Sequence, residues 1–264
     1  MFHTIKQGTL EYLTADALTG SIHCFSTRFG GVSEGHLASL NLGTHRGDAP
    51  ENVYENYRIL GAAVGFAPEQ TVFTKQEHTD TILRVGKANC GTGLLREQTV
   101  VCDGLVTDEP GVALCCFGAD CTTILLFDPA TGALGAVHSG WRGTAMGIAA
   151  GAVATMTREF GSLPSDIRAA IGPCIGLCCF EVGPEVPDAM RNVLGADAEH
   201  CIEPRGEKYH VDLKGLNRLW LERAGLSEID ICPDCTRCQP ERFWSHRAVG
   251  NHRGSQAAII MRKE

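Results

Sequence analysis

Four short β-type runs follow one another between residues 100 and 137, and this clustering is the sequence feature that most constrains the fold. The runs are rich in aliphatic and β-branched residues, and turn-forming stretches such as GADC and FDPATGAL separate them; they cover residues 100–107, 112–117, 122–127 and 133–137. A doubly wound parallel sheet requires strict alternation of strands with helices, which this segment lacks. The pattern therefore favours a mixed α+β fold.

Helical and further strand patterns flank this segment. We expect helices over residues 50–64, over residues 144–160 with an end at Gly161, after Gly183, and over residues 212–226. Strands are expected over residues 22–27, 71–74, 168–171, 243–246 and 257–261. No linker, repeat or low-complexity segment divides the chain, so we predict a single domain over residues 1–264.

Composition excludes several classes of partner. A net charge of −8 provides no basic field for a phosphate backbone, so we expect no nucleic-acid partner. No run of about 18 apolar residues predicts a membrane span, and the first residues lack the pattern of a signal peptide. Thirteen cysteines, an odd number, without an export signal favour a reducing cytoplasm, where most of them would be small buried apolar residues.

Three residues at predicted strand ends or turns are candidate metal ligands. They are His78 in TKQEHTD, Cys121 in GADC and His138 in GAVHSGWRG. Two imidazoles and one thiolate suit a catalytic zinc site, which leaves a fourth position for water or substrate. Separations of 43 and 17 residues match no short metal motif. Ordinary turn residues, or a Cys121 nucleophile activated by His138, remain alternatives at this stage.

A second group of cysteines has the spacing C-x2-C-x2-C. It consists of Cys232, Cys235 and Cys238, and no fourth cysteine follows at the distance of a ferredoxin motif. A zinc site there would need a remote ligand such as His246 or Cys201. We therefore expect Cys232 and Cys238 to be dispensable and Cys235 to be at most a packing residue; Cys174, Cys178 and Cys179 are interpreted as loop packing near the site.

Glycine-rich loops carry candidate anion-binding arginines. Arg28, Arg46 and Arg142 lie in FSTRFGGVSEG, SLNLGTHRGD and GWRG, where glycines let the backbone approach a ligand and the guanidinium forks suit phosphate. None of these loops fits the P-loop or the dinucleotide-binding fingerprint. Surface turns with solvated arginines are the alternative.

Taken together, these stretches resemble the laccase-domain family, known also as multicopper polyphenol oxidases, peptidoglycan editing factors and purine nucleoside phosphorylases. The similarity runs in order from about residue 23 to the C-terminus, and the pairing of ADC with H-x-GWRG is specific. The matching segments are FSTRFGGVSEG, ASLNLGTHRGD, ENYRIL, KQEH, CDGLVTDEPGVAL, GADCTTILLFDP, GAVHSGWRGT, IGPCIGLCCFEVGPEV and FWSHRAVGNHRGSQAAII.

The resemblance implies one metal, usually zinc, on His78, Cys121 and His138. It implies a central sandwich of mixed β-sheets flanked by helices, a fold shared with bacterial cysteine deamidases, which keeps the Cys121 nucleophile open. Thr79 stands where the family usually has glycine, so we expect the loop shape to differ there. Cys232 and Cys238 look like additions to the family pattern.

The implied activity is phosphorolysis of adenosine, inosine and S-methyl-5'-thioadenosine, together with adenosine deamination. On this hypothesis Arg142, with Arg28 and Arg46, binds phosphate, and Asn41 is a ribose or phosphate donor. The alternatives are a copper-dependent polyphenol oxidase, since a His2Cys set accepts Cu2+ as well as Zn2+, and a metal-binding module without turnover. The sequence predicts neither an oligomeric state nor a role in peptidoglycan precursor editing.

Overall fold

Two six-stranded mixed β-sheets face each other in this computed structural model, which describes residues 1–263. The strands of the first sheet, in spatial order, are β1 (Phe2–Gln7), β2 (Leu10–Ala15), β3 (Ile22–Ser26), β15 (Gln256–Met261), β7 (Ala113–Gly118) and β4 (Thr71–Phe73). Those of the second are β14 (Glu228–Ile231), β10 (Arg168–Ile171), β8 (Thr122–Phe127), β9 (Leu134–Ser139), β6 (Gly104–Thr107) and β5 (Ile82–Arg84). Parallel pairs β4–β7, β5–β6 and β10–β14 occur among antiparallel ones, so both sheets are mixed.

The central core lies between the two sheets. Alternation along the strands builds it: Leu114 and Cys116 of β7 point into this core, whereas Ala113 and Cys115 point to the opposite face. On β8, Leu125 contributes to the same core from the second sheet. Both faces of the central strands are covered, which explains why their sequences are apolar almost throughout.

In the described part of the chain, six α-helices cover the outer faces and one end of the sandwich. They are α1 (Pro50–Val64), α2 (Trp141–Ala145), α3 (Ile148–Phe160), α4 (Glu185–Leu194), α5 (Leu213–Arg223) and α6 (His246–Val249). Tyr57 and Leu60 of α1 pack on the first sheet, and Val153 and Met156 of α3 pack on the second. Within residues 1–263, none of these helices has the length and apolar character that crossing a membrane requires.

A small third sheet extends the domain beside α4 and α5. Its strands are β11 (Glu181–Val182), β13 (Lys208–Val211) and β12 (Ile202–Arg205), all antiparallel. The α+β class and the sandwich of mixed sheets flanked by helices are thus confirmed, while the domain extent of residues 1–264 stays a prediction.

The strand expected over residues 243–246 is absent, and this prediction was wrong. The Trp244 backbone N–H donates to Gln256 Oε1 at 2.7 Å, so a side chain takes the place of a ladder partner. Ser245 then caps α6, because its Oγ accepts from the Ala248 N–H at 3.2 Å. Buried Trp244 and Phe243 therefore anchor a loop rather than a strand.

Two other elements differ from their predicted form. The helix expected over residues 144–160 is divided into α2 and α3, because Gly147 adopts a left-handed conformation with φ +73°. The strand expected from residue 100 begins only at Gly104, because the preceding residues turn Asp103 towards the loop at residues 77–79. The N-terminal hairpin β1–β2 was not predicted at all.

Candidate metal centre

Three loops at one end of the sandwich bring His78, Cys121 and His138 together. His78 lies between β4 and β5, Cys121 in the turn from β7 to β8, and His138 near the end of β9. One ligand atom from each residue lies within 4.8 Å of the others. His78 Nε2 is 3.7 Å from Cys121 Sγ, and the two imidazoles meet edge to face with centroids 4.9 Å apart. The sheet topology thus assembles three residues that are distant in sequence.

A buried carboxylate, Asp103, organises this group. Its Oδ1 accepts from His138 Nδ1 at 2.7 Å and from the His78 backbone N–H at 3.2 Å. Its Oδ2 accepts from the Thr79 N–H at 2.8 Å and the Thr79 hydroxyl at 2.9 Å. Asp103 therefore fixes the loop that carries His78, and it occupies His138 Nδ1 so that Nε2 remains for the site. Thr79, the departure from the family glycine, adds a hydrogen bond to this arrangement.

Cys121 and His138 stabilise each other's charged forms. Burial opposes the Cys121 thiolate, but the neighbouring charge of His138 and the hydrogen bonds from both histidines outweigh it and lower the thiol pKa to about 6. Burial also opposes the charged imidazole of His138, yet the Cys121 thiolate and the bond to Asp103 raise its pKa to about 9. Cys121 is thus prepared as an anionic donor at neutral pH.

Backbone geometry leaves room for the three side chains. A Cβ at residue 140 would lie 2.7 Å from His78 Cδ2 and 3.1 Å from Cys121 Sγ, so only Gly140 fits here. His78 itself has φ +62°, a left-handed conformation that is uncommon for residues other than glycine. The three donor side chains are therefore held by strict local constraints.

The three residues line one end of a cavity of about 890 Å³. Apolar side chains, among them Phe73, Leu94 and Phe117, form part of its wall, and neutral polar and charged residues form most of the rest. This size and mixture are typical of a site for a small organic ligand.

Two arginines of the cavity wall form a basic region beside the three donors. Arg46 donates through Nε to Ser255 Oγ at 3.2 Å. Arg253 is buried, and its Nε has no hydrogen-bond partner among residues 1–263. Burial, reinforced by the charge of Arg46, lowers the Arg253 pKa to about 10. Two neighbouring guanidiniums in the cavity wall make this region suited to an anion.

Three other residues predicted to bind substrate do not line the cavity. Arg28 stacks on Trp244 at 3.9 Å and donates to the carbonyls of Ala38 and Pro240. Arg142 is exposed and stacks on Trp141 at 4.3 Å. Asn41 is fully buried, where it accepts from the Gly43 and Ser255 N–H groups and donates to Asp48. In this structure these three side chains support loops. Of the four residues predicted to bind substrate or phosphate, only Arg46 lines the cavity.

Sequence reasoning missed Asp103 and Arg253. Asp103 lies in the segment CDGLVTDEPGVAL, which matched the family, but no role was predicted for it. Arg253 lies in NHRGS, and Arg46 lies in THRGD, so the repeated His-Arg-Gly triplet was a signal that could have paired them.

The cysteines interpreted as packing residues form a second group of potential ligands. Cys178, Cys179, Cys235 and Cys238 offer four sulfur atoms, all within 4.8 Å of one another. The remote partners of the C-x2-C-x2-C run are therefore Cys178 and Cys179, which were interpreted as loop packing, and not His246 or Cys201. Of the three cysteines in that run, Cys232 alone lies outside the group, in the central core.

Comparison with known proteins agrees with this architecture. The model of the family described as "Multi-copper polyphenol oxidoreductase laccase" matches residues 22–263. This chain belongs to that family. The protein named "Purine nucleoside phosphorylase YlmD" of Geobacillus stearothermophilus is 40% identical over 256 residues, covering 95% of this chain and 93% of the relative. A purine nucleoside phosphorylase of Bacteroides thetaiotaomicron is 34% identical and covers 96% and 95%.

Solved structures of relatives share the same fold. The crystal structure of YlmD from Geobacillus stearothermophilus superposes with a TM-score of 0.93 at 37% identity, over 99% of both chains. A Neisseria meningitidis protein superposes with a TM-score of 0.80 at 32% identity. The laccase-like fold is therefore established for this chain.

The donor set fits the metal that a laccase-like family implies. His78, Cys121 and His138 offer two imidazoles and a thiol that loses its proton readily. The bond from His138 to the buried Asp103 reproduces the carboxylate–histidine arrangement found behind metal ligands. Both Zn2+ and Cu2+ accept such donors.

Proposed function

We propose that this protein is a metal-dependent purine nucleoside phosphorylase acting on adenosine, inosine and S-methyl-5'-thioadenosine, with adenosine deaminase activity at the same site. The observation that carries the proposal is the position of His78, Cys121 and His138 in one cavity with Arg46 and Arg253. The relatives named purine nucleoside phosphorylase, which match nearly the whole chain, support it.

The metal ligands are His78, Cys121 and His138, and the resident ion is Zn2+. When bound with an open fourth position, zinc supplies Lewis acidity and lowers the pKa of water towards neutrality. Asp103 orients His138 through the 2.7 Å bond to Nδ1 and holds the His78 loop. The chain's own contribution is thus a preorganised donor set that needs little rearrangement on binding.

Phosphate binds to Arg46 and Arg253, which replace Arg28 and Arg142 in this role. In phosphorolysis a phosphate oxygen bonds to the ribose anomeric carbon as the bond to the purine nitrogen breaks, which yields the free base and ribose 1-phosphate. Arg253 and Arg46 lie beside each other in the cavity wall. Their positive charges hold the anion for attack, and Phe73 and Phe117 offer apolar surface to the purine.

Deamination uses the same cavity, but the nucleophile is water rather than phosphate. Water adds to the purine carbon that bears the amino group, and ammonia leaves, so adenosine becomes inosine. This reaction requires the three metal ligands but no anion, and we therefore assign Arg46 and Arg253 to phosphorolysis alone.

Product analysis with adenosine, with and without inorganic phosphate, tests the proposal. We expect inosine without phosphate, and with phosphate adenine, ribose 1-phosphate and hypoxanthine formed from the inosine. Adenosine left unchanged under both conditions, with metal bound at the site, would remove the enzymatic assignment and leave a metal-binding module.

A Cys121 nucleophile is the second candidate function, and the lowered pKa of this thiol favours it. Cys121 and His138 then act as the nucleophile and base of an amide hydrolase, a reaction that needs no metal. Amide hydrolysis by metal-free protein, abolished in Cys121→Ser, would support this candidate against the phosphorylase.

Copper in the same site is the third candidate, favoured by the family's description as a polyphenol oxidoreductase. A copper-loaded protein that oxidises a phenol with dioxygen, while the zinc form leaves adenosine unchanged, would establish the oxidase in place of the phosphorylase.

A further inference from the structure

Four cysteines from two loops form a compact group that we call the thiol cluster: Cys178, Cys179, Cys235 and Cys238. None of the four lines the cavity. Cys238 Sγ lies 3.6 Å from Cys178 Sγ and 3.4 Å from Cys179 Sγ, and all four sulfurs lie within 4.8 Å of one another. Cys178 and Cys238 are exposed, whereas Cys235 is buried. The cluster therefore lies at the surface, with one side closed by the protein.

These distances are those of a tetrahedral metal site. A zinc–sulfur bond of about 2.3 Å places the sulfurs of a tetrahedron about 3.8 Å apart. Disulfide-bonded sulfurs lie about 2.05 Å apart, and one disulfide would use only two of the four thiols. Cys235 and Cys238 also have the C-x2-C spacing that is common among zinc ligands.

A backbone donor and a cationic side chain lie beside the sulfurs. The Gly176 N–H donates to Cys235 Sγ at 3.2 Å. A Cβ at residue 176 would lie 3.3 Å from Cys178 Sγ, so glycine keeps this approach open. The Arg247 guanidinium lies beside the loop, donating to the carbonyls of Cys179 at 3.3 Å and Glu181 at 3.0 Å. A backbone donor and a positive charge are the partners that metal-bound thiolates require.

We infer that the thiol cluster is a structural Zn2+ site in which all four sulfurs bind the ion and no position stays open. Each thiol gives up its proton on binding, so the complex carries two negative charges, which Arg247 partly offsets. Four cysteine ligands without an open position are typical of zinc that stabilises a fold rather than of catalytic zinc. This site is separate from the His78–Cys121–His138 centre.

The proposed site joins the two loops that hold the backbone next to Cys121. Asp120, with φ +94°, precedes Cys121. Its carboxylate accepts from Thr236 Oγ1 at 2.6 Å and from the Arg247 N–H at 2.6 Å, and its carbonyl accepts from the Ile175 N–H at 2.9 Å. The loops around residues 175 and 236 are those that carry the cluster, so zinc there also stabilises the position of Cys121.

Zinc counting by elemental analysis tests the inference on the full chain expressed with zinc. We expect about two zinc ions per wild-type chain, one at each group of ligands. Cys238→Ser should retain about one, with a Tm lowered by about 5 °C. Cys232→Ala changes a cysteine of the same segment outside the cluster and is the matched control, which should keep both ions.

X-ray absorption of zinc-loaded His138→Ala keeps the test decisive if Cys238→Ser does not fold. This variant disrupts the other centre, so its remaining zinc should show four sulfur neighbours at about 2.3 Å. Nitrogen neighbours, iron in place of zinc, or no second equivalent in the wild type would overturn the inference. A mass lower by two hydrogens, mapped to a disulfide within the cluster of protein purified under reductant, would overturn it as well.

Discussion

The His78–Cys121–His138 centre and the thiol cluster use similar donors in opposite ways. The centre has three donors at the end of a cavity of about 890 Å³, and the buried Asp103 orients it. The cluster has four donors, none of which lines the cavity, and its residues come from two loops that contact each other. Three ligands with open space favour catalysis, and four ligands without it favour stabilisation. The number of donors and the space beside them therefore distinguish the two regions better than residue type does.

Removing a ligand of the centre should have the largest effect on activity. We expect His138→Ala to lower adenosine phosphorolysis and deamination by more than about 100-fold, because both need the same ion. Steady-state rates together with zinc content measure this. His200→Ala, which changes an exposed histidine outside both groups, should match the wild type. Full zinc retention in His138→Ala would refute the ligand assignment.

Weakening the support of the centre should have the next largest effect. Asp103→Asn removes the negative charge behind His138 and disturbs the loop of His78, so zinc affinity should fall about 10- to 100-fold. Competition with a zinc chelator measures the affinity. The surface variant Asp108→Asn is the control. An unchanged affinity in Asp103→Asn would show that the carboxylate does not support the ligands.

The cavity arginines should affect phosphate selectively. Arg253→Met should raise the KM for phosphate about 10-fold or more, because a charge-assisted contact is lost, while deamination changes little. Arg142→Met removes an exposed guanidinium stacked on Trp141 and is the matched control, with a change below about 2-fold. A raised KM for phosphate in Arg142→Met together with an unchanged KM in Arg253→Met would assign phosphate binding to Arg142 instead.

The smallest expected effect is a difference in thiol reactivity between the two regions, which is measured without catalytic turnover. In metal-depleted protein the pKa of Cys121 is lowered to about 6, so its thiolate is present above that pH and alkylation should be half-maximal near pH 6. Burial and contact with Cys238 raise the pKa of Cys178 to about 11, so it should react slowly at pH 7. Peptide mapping after iodoacetamide treatment measures both rates. Half-maximal alkylation of Cys121 above pH 8 would contradict the pairing with His138.

The sequence predicted those features that depend on local pattern or on a specific motif. Helix α1 (Pro50–Val64) and strands β8 and β10 match their predicted bounds, because capping, periodicity and β-branched runs act over a few residues. Cys121 and His138 were predicted as ligands through the pairing of ADC with H-x-GWRG, and His78 through the segment KQEH. Their approach to one another depends on the sheet order, which no local pattern contains.

Long-range partners account for what the sequence did not reveal. Asp103 resembles any residue at a strand start until the fold places it against His138. Cys178 and Cys238 are 60 residues apart, and only the packing of two loops brings their sulfurs together. Arg142 was assigned to phosphate because it lies in the glycine-rich loop GWRG, yet its guanidinium stacks on Trp141. The Asp103–His138 pair and the thiol cluster both depend on contacts between segments that are distant in sequence.

Metal depletion followed by stepwise zinc addition tests the central claim, that the His78–Cys121–His138 centre performs phosphate-dependent cleavage of purine nucleosides. The measurement is ribose 1-phosphate formed from adenosine at saturating phosphate, in the wild type and in His138→Ala at each zinc level. We expect the depleted wild type to lose activity and to regain it with added zinc, while His138→Ala stays inactive throughout. Undiminished phosphorolysis by the metal-free wild type would contradict the claim.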